Sequence, residues 1–249
     1  MSRLIIVGAS VRAAATSAWQ AGFSPWCADL FCDADLRANF PDAYRCSLPD
    51  YPQGLLKMVR SAPDAPLMYT GGLENQPNLV GELAQLRPLW GNGPNELLAV
   101  RSPFALERLL HEAGLPTLEV RSASAELPAY CRWLRKPLCS CGGSNISFAE
   151  PRAAPAESEN THYFQRFVEG VPMSAQFAAV RGEAYFLGAT EQLIGLAWLQ
   201  APSPFAYTGM MGPEQVIQHM MHRSIPANHI MRADGVFGLG KCFQCLFTT

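Results

Sequence analysis

The opening thirty residues leave few folds open to this chain. Residues 3–9 (RLIIVGA) are almost wholly apolar and run into a glycine, Gly8. Ser10–Gln20 is alanine-rich, with the composition of a helix, and Gly22 stops it. Phe23–Leu30 then restarts as a second, largely apolar run. A strand with one wet face would alternate in polarity; the first run does not, so both of its faces are buried. Strand, helix and strand in that order predict a β-α-β unit in an open parallel sheet. A loop into a helix over 49–59, a third strand over Pro66–Thr70 and a helix over 78–86 continue the pattern. The Pro- and Gly-rich stretch 88–94 then closes a first domain, 1–94.

Ligands of an open parallel sheet meet the loops at the C-terminal ends of its strands. Gly8, with Asp29 about twenty residues on, invites a dinucleotide reading. The glycine fingerprint is missing, however, because Ala9, Ser10, Val11, Arg12 and Ala13 follow Gly8. Asp29, Asp33 and Asp35, with Arg12 and Arg37 near in sequence, read either as a solvated loop or as a ligand-facing edge. After the third strand comes 71–77 (GGLENQP), two glycines followed by a carboxylate and an amide. That composition suits a binding loop, with Glu74 and Asn75 as candidates for the substrate side; a plain turn is the other reading.

Beyond residue 94 the pattern changes. Residues 95–114 have helical periodicity, with Phe104, Leu106, Leu109 and Leu110 as an apolar stripe and Gly114 as the stop. A strand is expected over 118–121 and a helix over 123–133. One lysine, Lys136, then runs into Cys141-Gly142-Gly143-Ser144. Glycines let backbone N–H groups turn inward and the ammonium adds a point charge, so this is a place to hold negative oxygens. Only Lys57, Lys136 and Lys241 occur in the chain, though rarity alone gives Lys136 no role. Residues 150–161 have the composition of an exposed connector. Ser174–Val180 and Glu183–Gly188 read as a hairpin around Arg181-Gly182. Pro213–Arg223 reads as a helix whose His219 and His222 could form a metal pair but lack the glutamate of the usual metalloprotease motif.

The 249 residues suffice to bury roughly 70–75% of the unfolded surface. Charged residues are only 16% and net charge is −2, and the arginines are scattered, which argues against a nucleic-acid partner. No apolar run reaches the length of a membrane span, so no membrane partner is expected. The apolar run Leu4–Ala9 is short and continues into a strand-turn-helix pattern instead of a cleavage site, so a cytoplasmic protein is expected. Its eight cysteines are then expected as free thiols. Cys139 and Cys141 with Cys242 and Cys245 could be combined into a zinc site, but the first spacing is unusual and small buried hydrophobes are the plainer reading.

Three short pieces in this order resemble the ATP-grasp enzymes: Lys136-Pro137, then 141–146 (CGGSNI), then Gln165-Arg166-Phe167-Val168-Glu169-Gly170. The resemblance covers most of the chain and rests on order and spacing together. It implies a fold that is α/β and α+β: an open parallel-sheet N-terminal domain followed by an incomplete ATP-grasp fold. It divides the remainder into 95–161, a small subdomain with the glycine-rich lid loop, and 162–249, the C-terminal subdomain. It implies ATP with Mg2+ and a small carboxylate or cofactor-like substrate. Lys136 would hold phosphate oxygens, Gly142, Gly143 and Ser144 would form the lid, and Gln165 with the Phe167 and Val168 backbone would read adenine. An earlier nucleotide-binding lysine of the family falls near Pro103, where Arg101 is the nearby cation. By the same resemblance, Glu191 or Gln192, in the piece that follows the second hairpin strand, would face the cleft. Residues 7–36 further resemble the leading domain of a subgroup tied to one-carbon and methanopterin-type metabolism.

The chain also departs from that pattern. Gly235-Val236-Phe237-Gly238-Leu239 matches a late family piece, but Gly240 stands where its acid belongs, and Glu-x-Asn-Pro-Arg is missing. Pro172 falls where many relatives have a ribose-binding glutamate, and Glu169 is the nearest acid. The carboxylate-free end 241–249 reads as a truncated or frameshifted segment, leaving a sheet edge uncovered and a homodimer possible. The leading expectation is an ATP-dependent carboxylate–amine or carboxylate–thiol ligase acting through an acyl phosphate. The alternative is a catalytically impaired ATP- or metabolite-binding protein, since the late metal-binding carboxylates are missing. A dehydrogenase comes third. The catalytic residues and metal ligands have no assignment from sequence.

Overall fold

The computed structural model describes residues 1–149, 161–180, 183–212, 238–239 and 243–247. The chain divides into two compact units, Met1–Leu98 and Ala99–Thr249. The first is built on a parallel sheet of β1 (Ser2–Gly8), β2 (Phe23–Asp29), β3 (Ala43–Arg45) and β4 (Leu67–Tyr69). The strand order is β3-β2-β1-β4. Its helices are α1 (Arg12–Gln20), α2 (Ala34–Asn39), α3 (Gly54–Ser61) and α4 (Pro77–Leu86).

Leu4, Ile5, Ile6 and Val7 are all buried because alternate residues of β1 enter different cores. Ile5 and Val7 pack with Leu55 and Val59 of α3 and Leu79, Val80 and Leu83 of α4. Leu4 and Ile6 pack with Ala15 and Ala18 of α1 and Leu36 of α2. Helices thus cover both faces, as an unbroken apolar strand requires.

After β3 the chain crosses to the far side of β1, so the strand order reverses between β1 and β4, where open sheets place ligands. Here the loops close on one another. Ala9 N–H donates to Gly71 O at 3.2 Å, and Thr70 Oγ1 donates to Ser10 O at 3.0 Å. A Cβ on Gly8 would lie 2.0 Å from Thr70 Oγ1, so glycine is needed at this strand end for close approach.

The second unit holds α6 (Pro103–Glu112) and two antiparallel sheets. α5 (Pro94–Arg101) precedes α6, and its Leu97 packs in the first unit's core. One sheet has the order β5 (Val120–Ser122), β8 (His162–Arg166), β6 (Trp133–Pro137), β7 (Ser147–Phe148). The other carries the hairpin β9 (Val171–Val180) and β10 (Glu183–Ile194), with β11 (Tyr207–Met211) beside β10. β12 (Gly238–Leu239) and β13 (Phe243–Phe247) both pair with β9.

Three sequence expectations need correction. The helix expected over 123–133 is absent: turns lead into β6, and Pro128 has no N–H for a helix interior. The helical stretch 95–114 is two helices, because Pro103 breaks it and Ser102 Oγ accepts from Ala105 N–H to start α6. The periodic stripe of α6 is real but shallow: none of its residues is buried, and Leu109 is 55% exposed. Within the tail, β13 lines β9, with Phe243 opposite Ala175 and Phe247 opposite Val171. The connector at 150–160, the turn 181–182, the helix at 213–223 with its histidines, and Gly240 lie outside the described residues.

Candidate functional site

Strands β6 and β8 bring the sequence's lysine and glutamine together. Leu134 lies opposite Gln165 and Lys136 opposite Tyr163, so Lys136 and Gln165 are diagonal neighbours on one face of the sheet. Lys136 Nζ donates to Gln165 Oε1 at 2.9 Å. Burial holds the lysine's pKa below its ordinary value, and among the described residues no ion pair includes it. The Tyr163 ring lies 6.0 Å from the ammonium. Burial pushes the Tyr163 phenol up, with the Arg101 charge acting in the opposite sense.

Arg101 Nη2 donates to the Ser140 carbonyl at 2.8 Å, fixing the start of the glycine-rich loop. Ser140 Oγ donates to Ser144 O at 3.1 Å across that loop. Gly142, Gly143 and Asn145 all have left-handed backbone, with φ of 62°, 77° and 59°. Ser144 N–H closes a turn onto Cys141 O at 3.1 Å, which leaves its hydroxyl as the group to offer. Among the described residues the Gly142 and Gly143 N–H groups have no acceptor.

The loop is pinned from a side that no sequence pattern announced. Tyr207 N–H donates to Gly142 O at 2.9 Å. A Cβ on Gly143 would sit 1.8 Å from Phe205 O. The 204–206 segment is held equally closely on its other flank. Gly195 N–H donates to Ala206 O at 2.9 Å, and a Cβ on Gly195 would lie 2.2 Å from Pro204 O. Phe205 also meets Phe148 edge-on at 5.2 Å, and the Arg132 guanidinium lies 3.7 Å from the Phe148 ring centroid.

Phe167 packs on that same aromatic group, 5.2 Å from Phe148, and its N–H donates to Arg132 O at 2.8 Å. Val168 follows outside any strand, half-buried, and no described backbone group bonds its N–H or C=O. Glu191 and Gln192 are neighbours on β10, so they point to opposite faces. Gln192 is buried and its Nε2 bonds Ser174 Oγ, while Glu191 is half-buried between Met173 and Met211.

Arg101, Lys136, the 140–144 loop and Gln165 therefore gather in the second unit. Phe167, Val168, Glu191 and Gln192 belong to the second unit as well, and the substrate-side candidates lie in the first. Glu74 Oε2 accepts from Gly72 N–H at 2.6 Å within its own loop, and among the described residues the buried Asn75 Oδ1 has no hydrogen-bond partner. The ligand-facing reading of Asp29 is overturned. Asp29 is buried, and its two carboxylate oxygens accept from Val11 N–H at 2.5 Å and Cys32 N–H at 2.6 Å, joining the loops after β1 and β2. Asp35 pairs with Arg12 at 3.0 Å, with Asp33 3.9 Å from the same guanidinium. Among the described residues no group of three or more His, Cys, Asp or Glu side chains could hold a metal ion, and no helix is long and apolar enough to cross a membrane.

Solved structures with this arrangement are distant in sequence. L-amino acid ligase from Bacillus licheniformis superposes with a TM-score of 0.63 at 16% identity, over 92% of this chain and 59% of that one. N5-carboxyaminoimidazole synthase from Aspergillus clavatus, in complex with ADP and 5-aminoimidazole ribonucleotide, gives 0.65 at 11% identity, over 98% of this chain and 69% of that one. N5-carboxyaminoimidazole synthetase from Staphylococcus aureus, complexed with ADP, gives 0.62 at 12% identity, over 92% and 62%. This chain thus spans 59% of the length of the first and 62% of the last. No curated protein sequence matches it. The ATP-grasp domain family model matches residues 102–238, more than half of the chain, and takes in the lysine strand, the glycine-rich loop and the hairpin. With fold and sequence model in agreement, the chain belongs to the ATP-grasp family.

Proposed function

We propose that the second unit binds ATP, and that the chain as it stands is a nucleotide-binding protein with slow or absent ligase turnover. The observation that carries the binding half is Lys136: a half-buried ammonium, its pKa lowered by desolvation, whose hydrogen-bond partner among the described residues is a neutral amide. Removing such a charge from water costs several kcal/mol unless an opposite charge arrives, and a phosphate oxygen supplies one. The free Gly142 and Gly143 N–H groups and the Ser144 hydroxyl would meet the remaining phosphate oxygens. Arg101 holds the loop through Ser140 and so acts on the phosphates through position. Gln165 and the unengaged Val168 backbone, with Phe167 beside them, are assigned to the adenine.

The reaction class proposed for the fold is carboxylate–amine or carboxylate–thiol ligation through an acyl phosphate. Glu74 and the Asn75 amide oxygen, both hydrogen-bond acceptors, are assigned to an N–H or O–H group of the substrate and not to its carboxylate, and the resemblance of residues 7–36 associates that substrate with one-carbon metabolism. Magnesium, which the family uses, requires oxygen ligands. The described residues offer no cluster of them, so no step is drawn through it. Slow turnover is supported by Gly240, which has no side-chain oxygen where the family pattern carries an acid.

The test is calorimetric titration of ATP into the folded chain and a Lys136→Ala variant, with ADP release measured beside it. The contact is worth about 1.5–3 kcal/mol, so the variant binds roughly ten- to a hundred-fold more weakly. Equal affinity would sink the Lys136 assignment. Sustained ADP formation, with magnesium and a panel of small carboxylates and abolished in the variant, would overturn the slow-turnover half.

A further inference from the structure

We propose that Cys139 and Cys141 form a modification site of their own: a surface dithiol that closes to an intraloop disulfide by exchange with a small-molecule disulfide. Among the described cysteines these two are exposed, while Cys27, Cys32 and Cys46 are buried and Cys131 is half-buried. One residue, Ser140, separates the pair. Two residues of extended chain span at most about 6.6–7.2 Å, and a disulfide accepts Cα separations up to roughly 6.8 Å. The chain leaves β6 through a bend at 138–139, and 139–141 lies outside any strand, so no ladder hydrogen bond opposes the small adjustment that closure needs.

The surroundings favour this pair over the others. Residue Ser140 is anchored through its carbonyl by Arg101 and through its hydroxyl to Ser144, which holds the backbone between the thiols. Gly142, the next residue after the pair, is pinned by Tyr207 N–H. The pair is thus presented on a fixed stretch of chain at the surface. In the first unit, burial and then the Asp29 charge push the Cys27 thiol to about 12, and burial raises Cys32 and Cys46 as well. Thiolate is the attacking species, so those three are slow to react.

The exchange has two steps. One of the two thiolates attacks glutathione disulfide, forming a mixed disulfide and releasing one glutathione thiolate. The second cysteine thiolate then attacks the protein sulfur of that mixed disulfide, forming the Cys139–Cys141 bond and releasing a second glutathione. The two cysteine protons end on the two glutathione thiolates; the cysteines are oxidised and glutathione disulfide is reduced. No part of this depends on ATP binding.

The full chain is incubated with glutathione disulfide, blocked with alkylating agent and digested with trypsin without reduction. Cleavage after Arg135 and Arg152 releases both cysteines in one peptide, 136–152. The expected product is that peptide lighter by two hydrogens, unalkylated and restored by dithiothreitol. Cys141→Ser and Cys139→Ser should instead stop at a single glutathione adduct on the remaining cysteine. Lasting glutathione adducts on the parent peptide, or an unmodified peptide beside oxidised Cys27, Cys32 or Cys46, would overturn the proposal. So would an absence of adduct in both serine variants, because it would show neither thiol to be reactive.

Discussion

Gly143→Ala is the substitution for which the structure gives the sharpest energetic expectation. Gly143 has φ +77°, where a side chain costs about 1–2 kcal/mol. The added Cβ would also lie 1.8 Å from Phe205 O, 2.8 Å from Phe205 C and 3.3 Å from Ala206 Cα. These are backbone atoms with no rotamer to swing away, so the chain must move, at about 1–3 kcal/mol. Such a move threatens the bond from Tyr207 N–H to Gly142 O, worth about 1 kcal/mol. The backbone penalty and the displacement together give a loss of roughly 2–5 kcal/mol, and of roughly 3–6 kcal/mol where that bond is lost as well. Gly142→Ala supplies the control. Its φ is +62°, but nothing lies within 4 Å of the Cβ position, so only the backbone penalty of about 1–2 kcal/mol applies. Urea unfolding of both variants, followed by circular dichroism, measures the difference. If Gly143→Ala costs no more than Gly142→Ala, the 204–206 segment does not press on the loop and the pinning described above is wrong.

Two other substitutions test the buried charges. Lys136→Met should raise stability by about 1 kcal/mol at neutral pH, since it removes a half-buried, partly desolvated ammonium that has no counter-ion among the described residues. The folded pKa of Lys136 lies below its unfolded value, so the unfolded chain binds more protons between the two and stability rises with pH there. The advantage of methionine is therefore largest below the folded pKa and shrinks as pH climbs through it; denaturation series at rising alkaline pH should show this, and an advantage that grows would contradict it. Asp29→Ala removes the acceptor for the Val11 and Cys32 N–H groups and should cost about 2–4 kcal/mol in urea unfolding, whereas a loss below about 0.5 kcal/mol would show that the two loops do not depend on it.

The first unit was largely legible because its signals are local. The run Leu4–Val7 states burial on both faces by its composition, and Gly22 marks the helix stop without reference to distant residues. Where local signals were weak, elements went unseen: α2 spans six residues and β3 three, too few for a period to register. Asp29 shows the limit in another form. Its position after β2 suggested a ligand edge, but both oxygens are engaged by N–H groups at Val11, eighteen residues earlier, and Cys32, three residues later. No pattern within one strand carries that information.

The glycine-rich loop shows why a motif can locate a site without giving its mechanics. Gly142 and Gly143 read in sequence as one pair whose freedom serves phosphate oxygens. In the fold they meet different demands. Gly142 has open space at its Cβ position and a carbonyl tied to Tyr207, while Gly143 is wedged against Phe205. Residues 205–207 (Phe-Ala-Tyr) lie some sixty positions downstream, and nothing in so short a run marks it as a partner of the loop. Gly195 applies the same constraint to the opposite flank of that segment, against Pro204. A loop held this way keeps its N–H groups in place before a ligand arrives, so less ordering is required on binding. If the loop holds phosphate oxygens as proposed, the contact that excludes a side chain at Gly143 would also keep the neighbouring backbone N–H groups preformed as an anion cradle.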